Sequence, residues 1–418
     1  MQIILKNATL FAPKTTFHFQ SVDLRIENGI ITEIASGLEI TNADVVIERQ
    51  DLHVSAGWYD PFVAFGEPGF EERETLENGL KTAALSGFTG IGLLPTSSPP
   101  PDHQAALKYL KSYNHTSTTA VFPMANFTQG GEGKKMAELY DLSCSGAIGF
   151  LDDQTPIKSV ELLKTGLLYA QRFEGMIMST PQDASLNPTA AVHEGKVSTQ
   201  LGLSGQPALS ELLQIQRDIA VLGYTQGRLH IPCISSRESV EIIRKAKKEG
   251  HNISCSVALA NLCFTDEVLM DFETQYKVYP PLREEHDKDA LREGLMDGTI
   301  DFVTSNHRPL NPELKYIEFE HAVPGTIGLE AFFGVLNTLF PLDKTLQLLI
   351  NNRKMATKDL PQIAVGSKAD LTLFTPNGSG VFGEKDILST SKNCTFVGCS
   401  TQGKVYGVIR DRFHQLTA

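Results

Sequence analysis

Gly57-Trp58-Tyr59-Asp60-Pro61-Phe62-Val63-Ala64-Phe65 is a nearly unbroken apolar run with one carboxylate, and it ends in the turn residues Gly66-Glu67-Pro68-Gly69. It reads as a strand, and a helical stretch over 76–86 follows it. From His53 onward the same alternation recurs. Strand-like runs lie at 57–65, 89–94, 119–122, 146–151, 175–179, 228–234, 252–257 and 300–304. Helical stretches lie between them. The one over 157–172 carries Val160, Leu163, Leu167 and Leu168 on one face. Ser235-Ser236-Arg237-Glu238 forms a capping box for the next, which runs through Val240, Ile243 and Ala246 to Gly250. Two more cover 287–296 and 329–339. Eight such alternations predict an α/β fold, a (β/α)8 TIM barrel. A doubly wound open sheet is the alternative, but it would place a glycine-rich phosphate loop after the first strand, and none is there.

The flanks read differently. Residues 1–11 and 22–35 are rich in Ile, Val and Leu, Glu27-Asn28-Gly29 supplies a hairpin turn, and 44–48 resembles a further strand. Past Asp359 the runs 369–374, 394–397 and 405–409 are strand-like again. The organisation predicted is a small β-sandwich-like domain from 1–52 plus 362–418, and a barrel domain over 53–361.

Composition narrows the function. The 418 residues suit one large barrel or two domains. With 37 Lys+Arg against 49 Asp+Glu, the net charge of −12 argues against nucleic acid or an anionic membrane as partner. Cys144, Cys233, Cys255, Cys263, Cys394 and Cys399 form no CxxC pair and are too sparse for a disulfide framework, which fits free thiols in a reducing compartment. The N-terminus lacks a signal-peptide core and no run reaches 18 apolar residues, so a cytoplasmic location is expected. The 11 His and 49 carboxylates are ample raw material for a metal site.

Chemistry in a TIM barrel sits at the C-terminal strand ends. Those ends carry Asp60 to Gly69, Leu94-Pro95-Thr96, Asp152-Asp153, Ser179-Thr180-Pro181-Gln182-Asp183, His230-Ile231-Pro232-Cys233 and Ser305-Asn306-His307-Arg308-Pro309. With Glu67-Pro68-Gly69, Glu74-Thr75, Gly87-Phe88-Thr89, Glu194-Gly195-Lys196-Val197-Ser198, Leu201-Gly202-Leu203 and Arg217-Asp218, they form an ordered set. Lys277-Val278-Tyr279-Pro280-Pro281-Leu282-Arg283, Asp297-Gly298-Thr299-Ile300-Asp301, Gly328-Leu329-Glu330 and Gly366…Ala369-Asp370-Leu371 continue it. Over nearly its whole length the chain resembles dihydroorotase, of the cyclic-amidohydrolase branch of the amidohydrolase superfamily.

That resemblance implies one or two zinc ions that polarise the ring carbonyl and acidify water. It also implies a His-x-His pair on the first strand, an Asp or carboxylated Lys after the fourth, and His, His and Asp on strands 5, 6 and 8. An Arg and two Asn would hold the substrate. At the matching positions this chain has Phe62 and Ala64 for the His pair, Gly66 for the Arg, Thr96 and Tyr279 for the two Asn, Thr180 and Cys233 for the two His, and Asn306 for the Asp. Phe and Ala cannot ligate a metal, and Asn is not a general base. One carboxylate, Asp152 or Asp153, with Cys233 beside it falls short of the three protein ligands a catalytic zinc needs. Asp153 is the one weak metal candidate.

Asp60, Asp153, His230 and His307 remain in the former pocket, the two histidines as structural groups. Asp152-Asp153 suits a cap or turn, or a stray cation. Cys233 and Cys255, on adjacent strands, could in principle share a soft metal, although inert buried thiols are the simpler reading. Arg283 belongs to a structural loop, and Ser97-Ser98-Pro99-Pro100-Pro101 to a stiff turn. Phe62 should fill the volume a metal would need.

The expectation is a catalytically inactive homologue without a cofactor. By resemblance it acts as a structural partner of aspartate carbamoyltransferase in pyrimidine synthesis, and as a homo-oligomer. The alternative is a zinc-dependent cyclic amidohydrolase that interconverts dihydroorotate and N-carbamoyl-aspartate through an atypical site. A ligand sensor reusing the old pocket is a third reading.

Overall fold

The computed structural model describes residues 2–13, 15–40, 45–190 and 192–417. Strands β1 (Gln2–Phe11), β2 (Ser21–Glu27), β3 (Ile30–Ala35), β4 (Val45–Ile47) and β5 (His53–Ala56) open the chain. Met1 and Asp44, which the sequence assigned to strands, lie outside the described residues. Asn28 (φ 51°) and Gly29 (φ 83°) form the two-residue turn between β2 and β3. Both central residues of that turn need positive φ, which is why Asn-Gly stands there.

The barrel strands follow: β6 (Trp58–Val63), β7 (Phe88–Leu93), β8 (Ala120–Pro123) and β9 (Ile177–Met178). After the short pair β10 (Val192–His193) and β11 (Gly205–Gln206) come β12 (Leu229–Ile231), β13 (Ile253–Ala258) and β14 (Phe302–Thr304). All six residues of β6 and all six of β7 are buried, which is the reason these runs show no in–out alternation. The pairs β6–β7, β7–β8, β9–β12, β12–β13 and β13–β14 are all parallel. The fourth run contracts to Phe150, which bridges Ala125 on one side and Ile177 on the other. Val63 bridges His307 in parallel and closes the ring. The fold is a (β/α)8 barrel.

Strands β15 (Asp370–Val381), β16 (Ser400–Arg410) and β17 (Phe413–Leu416) return to the N-terminal strands. They hydrogen-bond into one sheet, in the order β17-β16-β15-β5-β1-β2-β3 with β4 beside β1, rather than as two separately bonded sheets. The expected strand at 394–397 is absent. Cys394 makes a single bridge to Ile327 and the chain then turns, and the last strand is β17 instead.

Among the described residues three helices of nine residues or more escaped the sequence reading, Gln104–Ser112, Ala208–Thr225 and Leu342–Asn351, as did the shorter Leu139–Cys144, Lys196–Leu201, Leu259–Cys263 and Pro312–Lys315. The capping box is also corrected. The helix Arg237–Lys248 is capped by Ser236, whose hydroxyl accepts from Ser239 N, while Ser235 serves the buried Glu211 instead. Among the described residues no helix is long and apolar enough to cross a membrane.

Barrel and sheet share a core. The Trp58 ring lies 4.7 Å from Phe333 and 5.3 Å from Phe374, joining β6, the helix Leu329–Leu339 and β15. Gly87 (φ +96°) lets the chain pass, since a Cβ there would stand 2.7 Å from that indole. Arg353 adds a polar staple. It pairs with Asp370 on β15 and donates to Thr89 Oγ1 on β7 at 3.0 Å. Replacing it strands a largely buried carboxylate, so Arg353→Met is expected to cost about 1–3 kcal/mol. Urea unfolding read by circular dichroism measures this.

Candidate functional site

The C-terminal mouth of the barrel is assembled from the strand ends, and its floor is apolar. Phe62 and Ala64 are buried in a cluster with Leu94, Met124, Leu151, Met176 and Met178 inside the barrel. The Phe62 ring stacks on His230 at 5.5 Å between centroids and 25° between planes. His230 in turn hydrogen-bonds Ser254 at 2.8 Å and Ser256 at 3.3 Å. Burial brings its pKa down to about 3, so it is a neutral core imidazole at neutral pH.

Asp60 sits at the seam of the ring. Its carboxylate accepts from Thr304 Oγ1 at 2.6 Å, from Ser305 N at 3.2 Å and from the Ser305 hydroxyl. Burial raises its pKa to about 6 and those bonds oppose the rise. His307 lies one step beyond. Its Nδ1 accepts from Gly328 N at 3.2 Å and Leu329 N at 3.4 Å, which caps the helix Leu329–Leu339. Burial lowers its pKa to about 4.

The two adjacent carboxylates have separate employment. Asp152 is buried and accepts from Thr128 N at 3.1 Å, Thr128 Oγ1 at 2.5 Å and Asn126 Nδ2 at 3.3 Å, which fixes the loop after β8. Asp153 accepts from Arg308 Nη2 at 2.8 Å. Arg308 was not singled out in the sequence. The signal was a cation two residues past Asn306, but its partner is 155 residues away in the chain.

The remaining positions turn inward. Asn306 (φ 50°) donates its amide to Tyr279 O at 2.7 Å, and the Tyr279 hydroxyl donates to Gln182 Oε1 at 3.1 Å. Thr96 Oγ1 donates to Phe65 O at 3.3 Å. Cys233 is buried, its N donates to Ser256 Oγ at 3.0 Å, and burial pushes its thiol up to about 12. Cys255 lies on the neighbouring strand with its thiol likewise raised by burial. Arg283 is buried against Glu211, Ser235 and His193 and supports the loop above the mouth. Gly66 is tightly enclosed, since a Cβ there would stand 1.8 Å from Phe70 O.

These groups leave a cavity of about 40 Å³ lined by Phe62, Asp153, Thr180, Cys233, Tyr279, Asn306 and Arg308, among others. That is room for a few water molecules. Among the described residues no three His, Cys, Asp or Glu side chains gather where they could hold one metal ion.

Comparison with known proteins places this geometry. Residues 55–239 match the family described as Dihydro-orotase-like. Dihydroorotase of Acetivibrio thermocellus is 34% identical over 97% of this chain and 96% of its own length. The chain belongs to the dihydroorotase family. Dihydroorotase of Syntrophus aciditrophicus is also 34% identical, over 97% of both chains. Among solved structures, the L-hydantoinase (dihydropyrimidinase) from Arthrobacter aurescens superposes with a TM-score of 0.83 at 20% identity, over 99% of this chain and 95% of that one. The dihydropyrimidinase from Brevibacillus agri gives 0.81 at 21%, over 99% and 95%. The family's barrel-plus-sheet architecture is thus present throughout.

The buried imidazoles make stability depend on pH. His193, His230 and His307 fall from an ordinary 6.5 to about 4, 3 and 4, chiefly by burial. Below pH 6.5 the unfolded chain binds protons that the folded chain refuses, so their contribution is complete above 6.5 and is lost as pH falls toward 4. Asp60 and Asp266, both raised to about 6 by burial, act in the opposite sense between about 4 and 6, two groups against three. The other shifted carboxylates divide, Asp152, Asp218, Asp287 and Asp301 upward and Asp23, Asp51, Glu211 and Asp297 downward. Urea midpoints should therefore fall from pH 7 to pH 4.5. His230→Gln should flatten that slope by at most about 1.4 kcal/mol per pH unit.

Proposed function

We propose that this chain is a non-catalytic member of the dihydroorotase family that serves pyrimidine biosynthesis in the cytoplasm as a structural partner of aspartate carbamoyltransferase, itself assembled as a homo-oligomer and without a cofactor. The observation that carries the first part is the Phe62 ring, packed against His230 where ligand-bearing side chains would face a metal. A catalytic zinc needs three protein ligands and an open position for water. The mouth offers one carboxylate already paired with a guanidinium and one thiol held protonated by burial. The residues present do not fit that ion. No base stands free either: His230 is neutral, buried and bonded through both ring nitrogens, and the buried His307 accepts two backbone N–H bonds at Nδ1, so that its unpartnered Nε2 carries the proton and offers no lone pair. The partner rests on the resemblance, and an intact scaffold around a filled mouth supports it.

A second reading is supported by the names of the relatives. Both quoted sequences are called dihydroorotase and are similar end to end. On that reading the chain is a working cyclic amidohydrolase, and zinc would have to be recruited by Asp153 after its ion pair opens.

Two measurements separate the readings. The purified chain with added zinc is expected to turn over dihydroorotate at least about 10⁴-fold more slowly than a zinc-loaded relative, the scale of a lost metal and general base. It is also expected to co-elute with aspartate carbamoyltransferase on size exclusion at micromolar concentration. Stoichiometric zinc with turnover would establish the second reading, and failure to co-elute would remove the partner. The variant carrying Phe62→His, Ala64→His, Thr180→His, Cys233→His and Asn306→Asp is expected to stay inactive. It still lacks the substrate-binding Arg, since Gly66 cannot accept a side chain without moving Phe70.

A further inference from the structure

The mouth of this barrel already carries a cation of its own. Arg308 leaves the end of β14 and sends Nη2 to Asp153 Oδ1, with the two side chains 14% and 16% exposed. Nothing about its course is loose. Arg308 N donates to Thr326 O at 2.7 Å, and Arg308 O accepts from Asn393 Nδ2 at 2.9 Å. Its aliphatic stem lies in a slot that exists because residue 325 is glycine. A Cβ at Gly325 (φ +153°) would stand 3.0 Å from Arg308 Cδ and 3.3 Å from its Cγ. Gly325 is itself pinned. Its N donates to Lys277 O at 3.0 Å, and its O accepts from the fully buried Lys315 Nζ at 2.8 Å. A rigid backbone slot therefore delivers one guanidinium to the one carboxylate that lines the cavity. Both side chains line the same small cavity as Cys233, at the end of β12.

We propose that Arg308 is a built-in counter-cation that takes the place of a divalent ion at Asp153 and keeps such an ion out. The inference rests on the non-catalytic reading and deepens it. A guanidinium satisfies a carboxylate with directed hydrogen bonds and cannot lose its charge at any physiological pH. To bind at Asp153, an incoming Zn²⁺ must expel Arg308 from its slot and leave a cation without a partner.

The test uses the full chain as wild type, Asp153→Asn, Arg308→Gln and the double variant. Thermal unfolding is followed with and without zinc, and metal is counted by elemental analysis after desalting. Each single substitution should lower Tm by about 2–5 °C, and the double should lose less than the sum. At millimolar concentration, where one freed carboxylate is enough for weak occupancy, zinc should raise the Tm of Arg308→Gln without surviving desalting, and leave the wild type and the double variant unchanged. Gly325→Ala, which disturbs the slot but neither charge, should lower Tm in the same way. Stoichiometric zinc on the wild type, strictly additive losses, or an Arg308→Gln variant that ignores zinc would each overturn the proposal. Zinc on the wild type without dihydroorotate turnover would remove this inference and leave the non-catalytic reading standing. Turnover would remove that reading itself.

Discussion

One buried carboxylate closes this barrel. Asp60 on β6 reaches across to Thr304 and Ser305 at the end of β14 and takes three hydrogen bonds there, while Thr304 Oγ1 also donates to Phe62 O at 3.1 Å. A parallel barrel has no hairpin to join its first strand to its last, so the seam must be fixed by side chains and by short stretches of ladder. Here Asp60 does the first, and the Val63–His307 bridge with Ala64 N donating to His307 O at 2.8 Å does the second. The positions of Phe62, Ala64, Asn306 and His307 follow from that seam. An unpaired carboxylate at that depth would cost several kcal/mol, so the hydroxyls of Thr304 and Ser305 are as necessary as Asp60 itself.

The sequence disclosed the barrel because its strands are buried on both faces and leave dense apolar runs. It disclosed the first hairpin because positive φ at two adjacent residues leaves few alternatives to Asn28-Gly29. The helix Ala208–Thr225 was hidden for a physical reason. Leu209, Leu213 and Tyr224 are exposed on its outer face, so hydrophobic positions run round the helix and the usual stripe is blurred. The run at 394–397 was misread because a buried apolar turn, with Cys394 and Phe396 almost fully enclosed, has the composition of a strand.

At the site, the sequence could show which side chains are unable to ligate a metal, since that depends on residue type alone. The stacking of Phe62 on His230 and the pairing of Arg308 with Asp153 could not be read the same way. Both depend on which strand ends face one another across the barrel, and this is a property of closure rather than of any local stretch. Glu211 shows the same limit. It lies inside a helix missed in the sequence, yet it accepts from Ser235 and Ser236 and pairs with Arg283 at 3.3 Å, so that one carboxylate holds three segments above the mouth.

The architecture of a family and the chemistry of its site are separable, because they rest on different residues of the chain. Similarity over 97% of its length describes strands, helices and the seam, all of which a barrel needs whether or not it turns over a substrate. Catalysis needs the opposite of a well-filled mouth: groups whose hydrogen-bonding capacity is held open toward a substrate, at a cost in stability. Around this mouth, Asn306, Tyr279 and Asp153 direct that capacity at the protein itself, and Phe62 and Ala64 complete an apolar floor. A mouth built in this way gains packing and internal ion pairing from the side chains that would otherwise face solvent and metal.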